Sequence, residues 1–191
     1  MLVSEAVARR KSIRQFLPDP VDDEVIRTLL ERAARAPSGG NVQPWRIYVV
    51  NGEATQRFRE FIVDQPTQPT EYDIYPSNLW EPYRSNRFRI GEQMYATIGI
   101  ERDDKAGRIA QFAKNADFFG APAALFCFID RRMGPPQWSD LGMFLQTFML
   151  LAQEAGLDTC PQEAWAVYEK AVTEFVGAPE NQRIFCGVAS G

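Results

Sequence analysis

The segment from Trp138 to Ala155 limits the possible folds more than any other stretch of this sequence. Leu141, Met143, Phe144, Leu145, Phe148, Met149, Leu150 and Leu151 crowd into it. At about 100° per residue they wrap around more than one face of a helix. A helix apolar on all sides must be buried, either inside the domain or against a second subunit. Ser139 is the expected N-cap and Gly156 the expected C′ residue.

Ala121 to Asp130 (Ala-Pro-Ala-Ala-Leu-Phe-Cys-Phe-Ile-Asp) is nearly all apolar, as a strand covered on both faces would be. Around these two segments the elements alternate irregularly. Val3 to about Arg10 reads as a short helix capped by Ser4. Asp22 caps an amphipathic helix whose positions Val25, Ile26, Leu29, Leu30, Ala33 and Ala34 follow helical spacing until Pro37 stops it. Arg46 to Asn51 reads as a strand, Gly52 to Val63 as a helix, and 90–116 as mostly helical. A last helix over Val167 to Val176 leads into a closing strand, Arg183 to Ala189. Residues 64–89, rich in proline, tyrosine and asparagine, show no sustained period and form a functional lid or a mobile connection. This order predicts an α+β or three-layer fold with a central sheet.

The length of 191 residues fits one domain, 1–191, with a substantial core. The net charge of −4 argues against broad binding to nucleic acid or an anionic membrane. No apolar run reaches the roughly 18–20 residues that span a bilayer. The start, Met1-Leu2-Val3-Ser4-Glu5, lacks the basic-then-apolar order of a signal peptide, so a cytoplasmic location is expected. Cys127, Cys160 and Cys186 are too few and too scattered for a disulfide framework, and Cys127 and Cys186 read as core residues. There is no histidine. That removes Ser-His and Cys-His catalysis and any imidazole-held zinc, and no metal site is expected. An enzyme built this way would depend on a carboxylate, a lysine or a cofactor.

Four stretches could carry chemistry. Arg10-Lys11-Ser12-Ile13-Arg14, preceded by Arg9, gathers cations beside a hydroxyl and suits a phosphate; taken alone it reads rather as a solvated basic helix end. Pro37-Ser38-Gly39-Gly40-Asn41-Val42-Gln43-Pro44-Trp45 combines glycines that admit close approach with polar groups suited to a heterocycle's edge. Its plainer reading is a helix-stopping turn anchored by Trp45, and it lacks Rossmann or Walker spacing. Cys160-Pro161-Gln162-Glu163-Ala164-Trp165 could offer backbone N–H groups to a planar cofactor, or could be an αβ connection in which Trp165 fills the core. Gly134-Pro135-Pro136-Gln137-Trp138 could overhang a pocket or simply turn into the helix.

Taken in order, these segments resemble the FMN-dependent nitroreductase family. Its R-R/K/H-S-x-R/K phosphate motif, P-S-x-x-N-x-Q-P-W loop, long central helix and cofactor-contacting turn are matched along nearly the whole chain. The resemblance implies a dimeric three-layer α/β/α sandwich around a mostly antiparallel sheet, with two FMN sites at the subunit interface. Carried over, Arg10, Lys11 and Ser12 hold the phosphate side and Arg14 lies near the pyrimidine edge. Pro37, Ser38, Gly39 and Asn41 reach the flavin from the other subunit. Gln162, Glu163 and Ala164 form the turn whose backbone meets the reactive ring nitrogen. Gly40 and Trp138 are candidates for the substrate pocket, and no side chain is assigned as catalytic. The implied reaction is a ping-pong transfer from NADH or NADPH to a nitroaromatic, a quinone or a similar electron-poor small molecule. Reductive dehalogenation, flavin fragmentation and a non-catalytic flavin-binding module are the alternatives. In the family a basic tail usually continues past the last strand; this sequence stops at Gly191, and loss of that tail would imply weaker FMN binding and a looser dimer.

Overall fold

A computed structural model describes all residues, 1–191. Four antiparallel strands form the sheet in the order β1 (Arg46–Asn51), β2 (Ala123–Asp130), β4 (Gln182–Ser190), β3 (Thr159–Gln162). β2 is central and buried along all but its last residue. Its side chains alternate strictly, as the pleat requires. Ala124, Phe126 and Phe128 enter one core cluster; Leu125, Cys127 and Ile129 enter another on the opposite face.

The first face is covered by α3 (Glu53–Ile62), by a 3-10 segment containing Phe118 and Phe119, and by α7 (Glu169–Val176). Its centre is aromatic: Phe58 lies 5.0–5.3 Å from the rings of Phe118, Phe126, Trp165 and Phe175. Such pairs contribute roughly 0.5–1.5 kcal/mol each beyond the area they bury. The second face is covered by α2 (Asp23–Ala33) and α6 (Pro135–Glu154), with α1 (Val3–Arg9) against α6. The result is the expected three-layer arrangement.

Local chemistry moves several boundaries. Asp22 caps α2 by accepting from Glu24 N at 2.8 Å, as expected. Ser4, however, lies inside α1, whose N-cap is Leu2; the Glu5 carboxylate accepts from Leu2 N instead, at 2.8 Å. Ser139 likewise does not cap α6. That helix starts at Pro135, after Gly134, because proline suits a first turn where its missing N–H costs nothing. Ser139 Oγ donates back to the Pro136 carbonyl at 2.6 Å.

Within one chain α6 is not buried all round. Leu141, Phe144, Leu145, Phe148 and Met149 are covered, but Gly142, Met143 and Gln146 are exposed and Leu150 is half-buried. These four lie on one side at helical spacing.

Two elements depart from the expectations. Thr159–Gln162, anticipated as part of a connection, pairs with β4 as an edge strand, a position that tolerates Pro161. Residues 64–89 do not run unstructured to their end: α4 starts at Tyr83 and continues to Thr97, followed by α5 (Lys105–Ala113). α4 buries none of its residues, so no apolar stripe marks its first half, residues 83–89, while its second half falls within the stretch 90–116 read as mostly helical.

Candidate active cleft

The basic N-terminal segment and the 160–164 turn are far apart in the sequence, and one backbone contact joins them. Ser12 forms a parallel bridge with Thr159, and Ile13 N donates to the Thr159 carbonyl at 3.0 Å. The segment therefore runs along the open edge of β3. It carries Arg14 to the vicinity of Cys160, whose thiol is pushed up by burial and drawn down by that guanidinium. Arg10, Lys11 and Arg14 form no ion pair, although the chain is acidic overall.

Arg14, Gln162, Glu163 and Ala164 line one wall of a cleft of about 1390 Å³. Gln162 holds this wall in place. Its side chain is buried, Nε2 donates to Asn115 O at 2.9 Å and to Asn115 Oδ1 at 3.1 Å, and Oε1 accepts from Trp165 Nε1 at 3.2 Å. With its amide spent inside, Gln162 offers the cleft little beyond its main chain. Glu163 then opens a 3-10 segment, Glu163–Tyr168, and the first N–H groups of a helical segment lack acceptors within it.

The opposite wall comes from residues 74–95 and α5, including Tyr75, Trp80, Arg87 and Phe88. None of these residues is singled out by a motif. The one signal in the sequence is the density of aromatic residues between Tyr72 and Phe88 in a stretch without period. Burial raises the Tyr75 phenol above its ordinary value, and the nearby Glu163 carboxylate raises it further.

The serine–glycine loop lies elsewhere. Gly39 N donates to both oxygens of the buried Asp140 on α6, each at 3.3 Å, and Ser38 Oγ accepts from Gln43 N at 3.0 Å. Gly40, Asn41 and Gln43 all have left-handed backbone, at φ +57°, +57° and +50°. For the two non-glycines that conformation costs on the order of 1–3 kcal/mol each. Trp45 stacks on Phe144 of α6, centroids 5.0 Å apart, and fixes the loop's exit.

Pro37, Gly39, Gly40 and Asn41 are exposed and, with Ser38, do not line their own chain's cleft. Arg10, Lys11 and Ser12 sit beside the cleft on the β3 edge without lining it. Trp138 is packed between Tyr72 and Phe185, at 5.0 and 5.4 Å, with Nε1 donating to Met133 O; it too stays outside this cleft. A single chain thus brings together one group of the anticipated residues and presents the other on a separate exposed surface.

Residues 7–191 match the model of the nitroreductase family. The chain is 36% identical over 187 residues to 4-nitrobenzoate reductase of Pseudomonas putida, covering 97% of this chain and 82% of that one. It is 35% identical to nitrobenzene nitroreductase of Ectopseudomonas oleovorans, covering 99% and 86%. Among solved structures it superposes with a TM-score of 0.95 on the FMN and NADPH-dependent nitroreductase NfnB from Sphigopyxis sp. strain HMH. That protein is 50% identical, with 100% of this chain and 88% of the other covered. It also superposes at 0.90 on the FMN-dependent NfnB from Mycobacterium smegmatis in complex with NADPH, 28% identical, covering 99% and 88%.

Proposed function

This chain belongs to the nitroreductase family, and we propose that it is an FMN-dependent oxidoreductase that passes electrons from NAD(P)H to nitroaromatic, quinone or similar electron-poor molecules. The observation that carries this reading is the run of unpaired cations Arg10, Lys11 and Arg14 laid along β3, leading into the cleft where Glu163 and Ala164 open a 3-10 segment. That donor set fits a flavin mononucleotide: cations for the phosphate, backbone N–H groups for the ring. When bound, FMN would supply the redox chemistry between the nicotinamide and the acceptor.

The chain's own contribution is position and charge. Arg10, Lys11 and Ser12 bind phosphate oxygens through charge-assisted hydrogen bonds. Arg14 supplies a fixed positive charge at the cleft wall. Ala164, small and at the lip, lets a planar ring approach the backbone. A cleft of about 1390 Å³ exceeds the range of roughly 300–1,000 Å³ usual for one ligand, leaving room for donor or acceptor in turn over the cofactor. No side chain needs to act as acid or base, which suits a chain without histidine.

The reading takes residues 1–191 as one domain of a cytoplasmic homodimer. The exposed strip of α6, Gly142, Met143, Gln146 and Leu150, is the helix face that a second copy would cover. A Cβ added at Gly142 would meet no heavy atom within 4 Å, so a neighbouring backbone can approach closely there. The partner's Ser38–Asn41 loop would then complete each site, with Gly40 and Trp138 at its approach.

The visible spectrum of the purified protein, with its mass in solution, tests this. A yellow dimer bleached by NAD(P)H under argon is expected. Replacing Arg10 and Arg14 together by alanine should lower FMN retention at least 10-fold, as two charge-assisted contacts are lost. A colourless protein that gains no flavin absorbance on adding FMN would overturn the reading.

A further inference from the structure

The wall of the cleft opposite Arg14 is built unlike the rest of the molecule. All three arginine–aromatic stacks of the protein lie here: Arg87 over Tyr75 at 4.3 Å, Arg108 over Tyr95 at 4.4 Å and Arg102 over Phe88 at 5.3 Å. Arg84, Arg87, Phe88, Gly91 and Tyr95 line the cleft from one side of α4, at helical spacing.

The three arginines of this wall differ in what neutralises them. Arg84 pairs with Glu81 at 2.9 Å, and Arg108 with Glu92 at 2.7 Å. Arg87 has no carboxylate within ion-pair distance; its neighbour is Tyr75, whose ring it stacks on and whose hydroxyl it adjoins. A guanidinium stacked on a ring is held through its face, and a single contact to the Tyr75 hydroxyl leaves most of its five in-plane N–H donors free. That edge presents the fork that matches a carboxylate or a phosphate. Beside it, Trp80 and Phe88 are 59% and 54% exposed, flat apolar surfaces open to a ligand ring.

We propose that Arg87 reads a negative charge on the molecule entering the cleft, so that ring compounds bearing an anionic group are selected over neutral counterparts. The assignment rests on the flavoenzyme reading above. The shared chemistry is an anion attached to a flat ring system, and two substrates of the reaction can bring it: an aromatic acceptor carrying a carboxylate, or a nicotinamide donor carrying the extra phosphate of NADPH. Glu163 reaches the same Tyr75 hydroxyl that Arg87 adjoins, yet forms no ion pair with Arg87.

The test uses the FMN-loaded protein and two selectivity ratios. One is kcat/KM for 4-nitrobenzoate over nitrobenzene with a single donor; the other is kcat/KM for NADPH over NADH with a single neutral acceptor. Arg87→Ala should lower one of these ratios at least 10-fold, and the ratio that falls identifies the source of the anion. Arg87→Lys, which keeps the charge but loses the fork and the stack, should recover part of it. Arg89→Ala serves as control: that guanidinium bonds Asn86 outside the cleft, and both ratios should hold. Calorimetric binding of benzoate against benzamide, and of NADP⁺ against NAD⁺, should shift in the same sense without turnover. If both ratios stay within 2-fold in Arg87→Ala, or if Arg89→Ala lowers them equally, the assignment fails while the flavoenzyme reading stands. A wild-type chain that takes up no FMN overturns that reading, and the assignment with it.

Discussion

Phe58 and Phe88 are the same residue type in two different kinds of structure. Phe58 has no exposed surface and meets four aromatic rings; Phe88 is 54% exposed, and its stacking partner is the guanidinium of Arg102. The contrast holds for their surroundings. Around Phe58, side chains from α3, β2, α7 and the Trp165 segment interlock on one face of the four-stranded sheet. Around Phe88, α4 buries nothing and is held by ion pairs and arginine–aromatic stacks. Packed interiors resist displacement because each atom's neighbours are fixed. Exposed pairs contribute little and reform readily. The sheet layers can therefore hold Arg14 and residues 162–164 in constant geometry, while the 74–113 wall can adapt to what enters. Regions with few buried contacts belong to the low end of local stability, where ligand-binding elements are found.

The largest predicted effect lies in the packed half. Trp165 is 1% exposed, contacts Phe58, Phe118 and Phe126, and donates to Gln162. Trp165→Ala should cost about 3–5 kcal/mol, measured by urea unfolding, and should loosen the 162–164 wall through Gln162. The same chemical change at an aromatic residue of α4 should cost a small fraction of that. A loss at Trp165 below about 1.5 kcal/mol would erase the distinction between the halves.

The next effect lies at their joint. Segment 68–72 ties the variable wall to the core: Gln68 N donates to Val167 O at 2.8 Å, and the Tyr72 hydroxyl donates to Phe185 O. Arg131 links Glu71 to the buried Glu169, with Nη2 2.8 Å from Glu169 Oε1. Arg131→Ala would leave Glu169 buried without its hydrogen-bonded counter-charge, with only the weaker influence of Arg183 remaining. Removing one partner of a buried pair costs about 3–5 kcal/mol; with Arg131 itself 31% exposed, about 2 kcal/mol is expected after allowing for solvent screening.

The pH dependence has a definite sign. Burial raises the Glu169 carboxyl above its ordinary value, with Glu71 adding to the rise and Arg131 opposing it. As pH climbs, the unfolded chain ionises first, so stability falls between the unfolded and folded values and is level below and above that window. Arg131→Ala should widen the window upward, so that the variant is least impaired in mild acid. Glu169→Gln should flatten the slope. An Arg131→Ala variant whose deficit is the same at every pH would show that charge is not what joins the two regions.

The same contrast explains what the sequence makes legible. The alternation of Leu125 to Ile129, the cap at Asp22 and the apolar crowding of α6 can be read because core burial imposes a period. The first half of α4 cannot, because a helix that buries nothing needs no stripe. The edge strand at Thr159–Gln162 is masked by Pro161, and Ser139 has the look of a cap although Pro135 and Pro136 start α6 a turn earlier. At the site, the basic run and the 160–164 turn can each be picked out, but their meeting depends on the Ser12–Thr159 bridge. Local pattern carries no trace of a contact between segments so far apart. The aromatic wall, legible as composition, acquires a role only once α4 places it across from Arg14.

Asp140 gives the smallest effect on stability and the sharpest exception to the comparison, since it is buried in the packed half and yet packs nothing. Its carboxylate is 4% exposed, has no ion pair, and accepts only from Gly39 N at 3.3 Å to each oxygen. A buried charge so weakly compensated offsets much of what its hydrogen bonds contribute. Removing both the charge and the acceptor should therefore be nearly neutral: Asp140→Ala should change the unfolding free energy by less than about 1 kcal/mol in either direction. What should change is the loop. Gly39 is exposed and its N–H can turn to water, so the left-handed backbone at Gly40, Asn41 and Gln43 loses the anchor that offsets its strain. Amide exchange at Gly39 to Asn41 should quicken in Asp140→Ala and stay slow in Asp140→Asn, which keeps an acceptor oxygen. A loss above about 2 kcal/mol with unchanged exchange would make Asp140 an ordinary part of the core, and the division between a packed half that holds position and exposed elements that meet ligands would then hold without exception.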